Sequence, residues 1–256
     1  MKSYRTIISA VFITVLAAAA FFVIPRAIPV RAADACTITA DDLGAIQKAS
    51  KSGLIAELAT RRILLIRTIN CAKADAVALQ KQLNNLPASL EAKTLQFRLS
   101  EKLDDAMTFY DLESRKAGSA GLAGTQAIAR EVLEWRAANY EPIVAQVENF
   151  TLWMNNQSLF KVANDRMGGI INLVGFIQQA GQNNELQGEL GAAQSLMETA
   201  NKENLDAKNS LFQSAPAGTS AEKIQQSLST LSDVYQKFFD IATLIGKILP
   251  SGKSDK

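Results

Sequence analysis

Histidine is absent from all 256 residues of the chain. That removes the usual general base near neutral pH and the commonest transition-metal ligand. Cysteine occurs twice, at Cys36 and Cys71, which is too few for a four-thiolate zinc site. No phosphate loop, calcium loop, nucleophile elbow or paired-cysteine motif is present. The adjacent acids Asp41-Asp42 and Asp104-Asp105 point about 100° apart on a helix, so neither pair converges its carboxylates. No catalytic group, cofactor or metal site is therefore expected, and the chain reads as non-enzymatic.

An excess of positive charge is also missing. The formal net charge is +2, but four of the 27 basic residues (Lys2, Arg5, Arg26, Arg31) and none of the 25 acidic ones precede Ala33. Beyond that point 23 basic residues face 25 acidic, with no basic stripe, so nucleic acid has little to hold. Strand-like alternation is lacking as well, and of the six prolines only Pro142 falls inside a periodic stretch.

What the sequence does contain is a leader and a series of helices. Lys2 and Arg5 precede "TIISAVFITVLAAAAFFVI", which ends at Pro25-Arg26. A charged start and an apolar core form the export pattern, and this core approaches the ~20 residues needed to span a bilayer. Val30-Arg31-Ala32 and Ala33-Asp34-Ala35 both fit small-x-small cleavage sites. Cleaved signal, retained anchor and lipidated Cys36 are the three readings. Lipidation is the weakest, because the residue three before Cys36 is Ala33 rather than a larger aliphatic. All three place residue 36 onward outside the cytoplasm: secreted, periplasmic or on the outer membrane face. Membrane contact is expected only through a retained leader.

The expected organisation is a leader at 1–32, a helical bundle at 33–250 and a frayed tail at 251–256. The fold class is all-α: an elongated bundle of about five long amphipathic regions with coiled-coil-like packing. The first region starts at a Thr39–Asp42 cap and runs to about Leu86, with an apolar stripe through Leu58, Leu65, Ile69, Ala72, Ala76, Leu79 and Leu83. Arg62 interrupts the stripe, with its stem along the seam and its head in water, or else in a register-setting ion pair. The second region, 88–116, turns Leu95, Leu99, Leu103, Ala106 and Tyr110 inward. "AGSAGLAG" (117–124) reads as a flexible connector and candidate sub-boundary. The third begins at a Thr125 cap, is kinked or split by Pro142, and slips phase near Asn155-Asn156-Gln157. The fourth carries Leu186, Leu190, Ala193, Met197, Ala200, Asn204, Ala207 and Leu211. The fifth is capped by Thr219–Glu222 and carries Ile224, Leu228, Leu231, Tyr235, Phe238, Ala242, Ile245 and Leu249.

Three features are candidate sites. Trp135, Tyr140 and Trp153 flank Pro142, where a kink can open a ligand pocket; their bland role is to fill a wide core. "MGGIINLVGFIQQAG" (167–181) is apolar and glycine-bearing, as a membrane-active segment would be, although close helix packing at its glycines is the better account. Asn149-Phe-Thr151 and Asn156-Gln-Ser158 match glycosylation acceptors but lie in helix.

Cys36 and Cys71 pose a geometric question. On one straight helix, Cys71 lies about 47 Å from residue 40, and no bridge can form. If the chain turns at "SKSG" (50–53), Cys71 sits about 26 Å along the second arm. The first arm and residues 36–39 reach about the same distance back. A Cys36–Cys71 disulfide is then expected, stapling an N-terminal hairpin in an oxidising compartment. Functionally, the leading expectation is a structural or protein-interaction role, through a protein partner or self-association. A ligand-binding or sensory bundle with a site near Pro142 and a membrane-active helical protein are the alternatives.

Overall fold

The computed structural model describes residues 38–248, apart from 88, 182, 214 and 215. The fold is an all-α bundle, and no strand occurs among the described residues. The helices are α1 (Ala40–Lys51), α2 (Leu54–Asn84), α3 (Leu90–Ser119), α4 (Leu122–Trp135), α5 (Glu141–Ala180), α6 (Asn184–Phe212) and α7 (Ala217–Ile248). A π-helical turn, Arg136–Tyr140, joins α4 to α5. The predicted leader and cleavage sites, Cys36, Leu249 and the predicted tail lie outside the described residues.

The first predicted region is two helices. Ser52 and Gly53 break it, and Gly53 adopts φ 111°, a backbone conformation that glycine enters without a Cβ clash. The expected cap at Thr39 is present. The Asp42 amide donates to Thr39 Oγ1 at 3.3 Å, and the Thr39 amide donates to Asp42 Oδ2 at 2.9 Å. Asp42 also receives Arg67 of α2 at 2.5 Å, which fixes α1 against α2.

The connector at 117–124 is much tighter than its glycines suggest. Helix α3 continues to Ser119, α4 starts at Leu122 with Gly121 at its cap, and Ala117 and Thr125 are buried. A Cβ at Gly124 would sit 3.1 Å from the Ala120 Cβ, so glycine permits the close turn. Thr125 is not the cap: its hydroxyl donates back to the Leu122 carbonyl. Arg62 takes neither predicted role. Its Nε donates to the Ala120 carbonyl at 2.7 Å, which satisfies an acceptor left open where α3 ends.

The fifth helix also starts earlier than expected. The Ser220 amide donates to the Pro216 carbonyl, so Thr219 and Glu222 lie inside the first turns rather than forming a capping box. Ser220 is buried and its hydroxyl is 3.0 Å from that of Ser210.

Two compact units account for the packing. One comprises the described residues up to 162 with 198–230; the other comprises 163–197 and 231 onward. In the first, Leu95, Leu99, Leu103, Ala106 and Tyr110 are all buried, as the α3 stripe predicts. Ile69, Leu83, Val147, Phe150 and Leu211 join them in one apolar cluster. In the second, Ala163, Met167, Val174, Ile177, Leu186, Leu190 and Ala193 form the interior with Leu231, Val234, Phe238, Ile241 and Ile245. Along α7 the buried line is therefore Ile224, Ser227, Leu231, Val234, Phe238, Ile241 and Ile245. The predicted Leu228, Tyr235 and Ala242 are half-buried, one residue out of phase.

Candidate functional site

Pro142 has no amide hydrogen and its ring collides with the carbonyl four residues back, here that of Ala138. The chain answers with a π turn instead of a sharp kink. The Glu141 amide donates to the Arg136 carbonyl, a bond spanning five residues. The extra residue carries Tyr140 fully into the interior, where its hydroxyl donates to Asp75 Oδ2 of α2 at 3.0 Å.

A compact polar and aromatic cluster surrounds that bond. Arg136 lies 3.6 Å from the same Asp75 oxygen and 2.9 Å from Glu141 Oε1, and its guanidinium sits 4.9 Å above the Tyr140 ring. Tyr110 of α3 meets Tyr140 and Trp135 edge to face, with centroids 5.9 and 5.7 Å away. Trp135 stacks on Phe109 at 3.9 Å. The Tyr110 hydroxyl is buried beside the Arg136 guanidinium. Burial pushes its pKa up to about 12, opposed by the nearby Arg136 charge. Burial also raises that of Tyr140, and the Asp75 carboxylate raises it further. Both tyrosines are therefore held protonated. Asp75 already engages Tyr140 and Arg136, and the cluster ties α2, α3 and the π turn together.

Of the three predicted pocket residues, the structure gathers Trp135 and Tyr140 around Tyr110. Trp153 stands apart, packed between Phe150 and Phe212 at 6.2 and 6.5 Å. The depression beside Trp135, about 460 Å³, is lined by Ala127, Arg130, Glu131, Glu134, Trp135 and Ala138, all from one helix and its π turn, and opens to solvent. Sequence reasoning placed Tyr110 inward but did not join it to this cluster, and it missed Asp75 and Arg136; the three lie up to 65 residues from Tyr140. Only the proline signalled that something unusual happens here.

The predicted phase slip in α5 coincides with a buried polar layer. Asn156 is 7% exposed, and its amide nitrogen and the Trp153 indole nitrogen both lack partners. Gln157 and Asn204 of α6 exchange two amide hydrogen bonds at 3.2 Å beside them. Burial of Asn156 also removes that glycosylation acceptor from the surface. At residues 167–181 the glycines do not mediate close packing: a Cβ at Gly168, Gly169 or Gly175 would meet nothing within 4 Å. They lie on the outward side of α5, near the exposed Ile171 and Phe176. No described helix is long and apolar enough to cross a membrane.

Cys71 is disulfide-bonded, whereas Cys36 lies outside the described residues. The break at Ser52–Gly53 meets the geometric condition for the expected bridge. The Asp42–Arg67 pair also sets the register, since Cys71 is one helical turn beyond Arg67.

One surface has no counterpart in the predicted sites. Helix α2 carries a second apolar line through Ile55, Ala59, Ile63, Ile66, Ala74 and Val77, spaced by fours, threes and one eight-residue step across Asn70. It points roughly 110–120° away from both the face on the bundle and the face on α1, at 100° per residue. Ile55 is 87% exposed, Ile63 67% and Val77 46%; Ile66 is half-buried. The charged groups beside this line are held within the chain: Arg62 by the Ala120 carbonyl, Arg67 by Asp42 and Lys73 by Asp111.

Comparison with known proteins finds no matching family model, no similar curated protein and no similar solved structure.

Proposed function

We propose that the chain is an exported, non-enzymatic helical-bundle protein that works by docking a helix on the outer apolar line of α2. The observation that carries this reading is the exposure of Ile55, Ile63 and Val77 on one face, flanked by Arg67 and Lys73, which are already paired inside the chain. An exposed apolar strip of this kind marks an interaction surface on a soluble bundle. Fully covering three such side chains contributes roughly 4–8 kcal/mol before association entropy is subtracted. The strip therefore suits a reversible contact better than an obligate one. The Ser52–Gly53 turn and the bonded state of Cys71 support an oxidising, extracytoplasmic setting, with the Cys36–Cys71 bridge closing the α1–α2 hairpin.

A photo-crosslinking side chain at position 63, tested in the native host, is the experiment. A discrete protein adduct is expected at 63 and not at the exposed position Glu101 of α3. Equal or absent adducts at both positions would refute the docking reading.

A ligand-binding reading is favoured by one observation, the buried hydroxyl of Tyr110 beside Arg136. It requires tryptophan fluorescence from Trp135 to change when ligand binds.

A further inference from the structure

We propose that the first compact unit holds two bound water molecules along a polar line on the inner side of α5. One lies in a cavity beside Ser220, and the other joins the Trp153 indole to the Asn156 amide. A helix face that packs dry is apolar, and α5 departs from that rule. Gln146, Asn149, Trp153 and Asn156 follow one another by steps of three, four and three, the spacing of an inward seam. Trp153 and Asn156 are buried, and Gln146 and Asn149 are half-buried. Polar groups placed there must be hydrogen-bonded or they cost stability.

The first site is a small cavity lined by Gln146 and Asn149 of α5, Ser220 of α7, Leu95 and Leu99 of α3, and Leu211 of α6. It offers a guest about 10 Å³, close to the least that holds one water and far below what an organic ligand fills. Polar side chains from two helices line it, which is the second condition for a hydrated rather than a dry cavity. The Ser220 hydroxyl lies 3.0 Å from that of Ser210, and only one of their two hydrogens can sit between them. Ser220 therefore keeps either a hydrogen or a lone pair for a water in the cavity.

The second site is carried by donors in need of an acceptor. Trp153 Nε1 and Asn156 Nδ2 are buried donors without a partner in the chain, about one helical turn apart. Beside them Gln157 and Asn204 donate to each other, and Gln157 also donates to the Trp153 carbonyl. The side-chain oxygens of that pair each retain a lone pair. One water accepts from Trp153 and Asn156 and donates to such an oxygen, so every group is satisfied. An anion would also accept, but these four residues supply no positive charge to offset its lost hydration. The phase slip at 155–157 is thus the place where α5 exchanges apolar packing for a hydrated layer.

Magnetic resonance of the full chain, with a crystal structure that resolves ordered water, tests the proposal. The expected result is a cross-relaxation peak between water and the Trp153 indole proton, assigned by its loss in Trp153→Phe, and ordered water at both places. Asn156→Leu should abolish the peak and remove one long-lived water from the relaxation dispersion of the solvent. Ser220→Val should remove the other and leave the Trp153 peak intact, because it fills the cavity and deletes its hydroxyl. The measurements on the unsubstituted chain decide the question even where a variant fails to fold. No indole–water peak, ordered water missing from either place, or a peak that survives Asn156→Leu would each overturn the proposal.

Discussion

Helix α2 carries two apolar seams of nearly the same period with opposite fates. Ile69, Ala72, Ala76 and Leu83 are buried against the bundle, while Ile55, Ile63 and Val77 on another face stay exposed. Spacing does not separate them. What marks the inward side is what it reaches: Arg62 meets the turn between α3 and α4, Lys73 meets α3, and Asp75 meets the π turn. An apolar line becomes core only when the neighbouring polar groups can also be satisfied there. The open seam is the remainder, available to something outside the chain.

Predictions that break this comparison begin in the closed seam. Leu83→Ala removes a fully buried side chain and should destabilise the protein by about 2–5 kcal/mol, read from chemical denaturation. A small loss would mean that the closed seam is not core. Cys71→Ser, or reductant on the native chain, should cost about 2–4 kcal/mol if the hairpin is closed by Cys36. It should also increase amide exchange in α1 before any other helix, leaving a third face of α2 open. Unchanged stability and exchange would contradict the bridge.

Tyr140→Phe should cost about 1–3 kcal/mol, because Asp75 loses a buried donor. The same cluster sets a pH window. The neutral form of Tyr110 is favoured in the folded state, so its contribution is fully present below about pH 10 and is lost as pH rises toward about 12. Unfolding and tyrosinate absorbance should therefore rise together in that window; free titration near pH 10 without unfolding would show an unburied ring. The smallest effect belongs to the open seam. Ile63→Ala in the dilute protein should change stability by no more than about 0.5 kcal/mol, as surface substitutions do.

Much of the fold was legible from residue spacing. The inward lines of α3 and of the fourth region were readable because one face of each is apolar and the other charged. Along α7 the predicted Ile224, Leu231, Phe238 and Ile245 are buried, but Leu228, Tyr235 and Ala242 form an apolar edge beside the buried Ser227, Val234 and Ile241, and only the packed neighbours choose between them. The tight turn at 120–121 was hidden by its glycines, which suggest mobility in sequence and permit close approach in the fold. Pro142 announced a break, but the π turn depends on Tyr140 reaching Asp75, a pairing no local pattern contains. The outer line of α2 was present in the sequence all along. It was passed over because a stronger line on the same helix explained the helix.

Side-chain footprinting by hydroxyl radicals compares the two seams most directly. Ile55, Ile63 and Val77 should be oxidised readily in the dilute purified protein and protected in its native setting, while Leu83 and Leu103 stay protected in both. Equal oxidation of Ile63 in the two settings would contradict the claim that the open face of α2 is where this protein meets its partner.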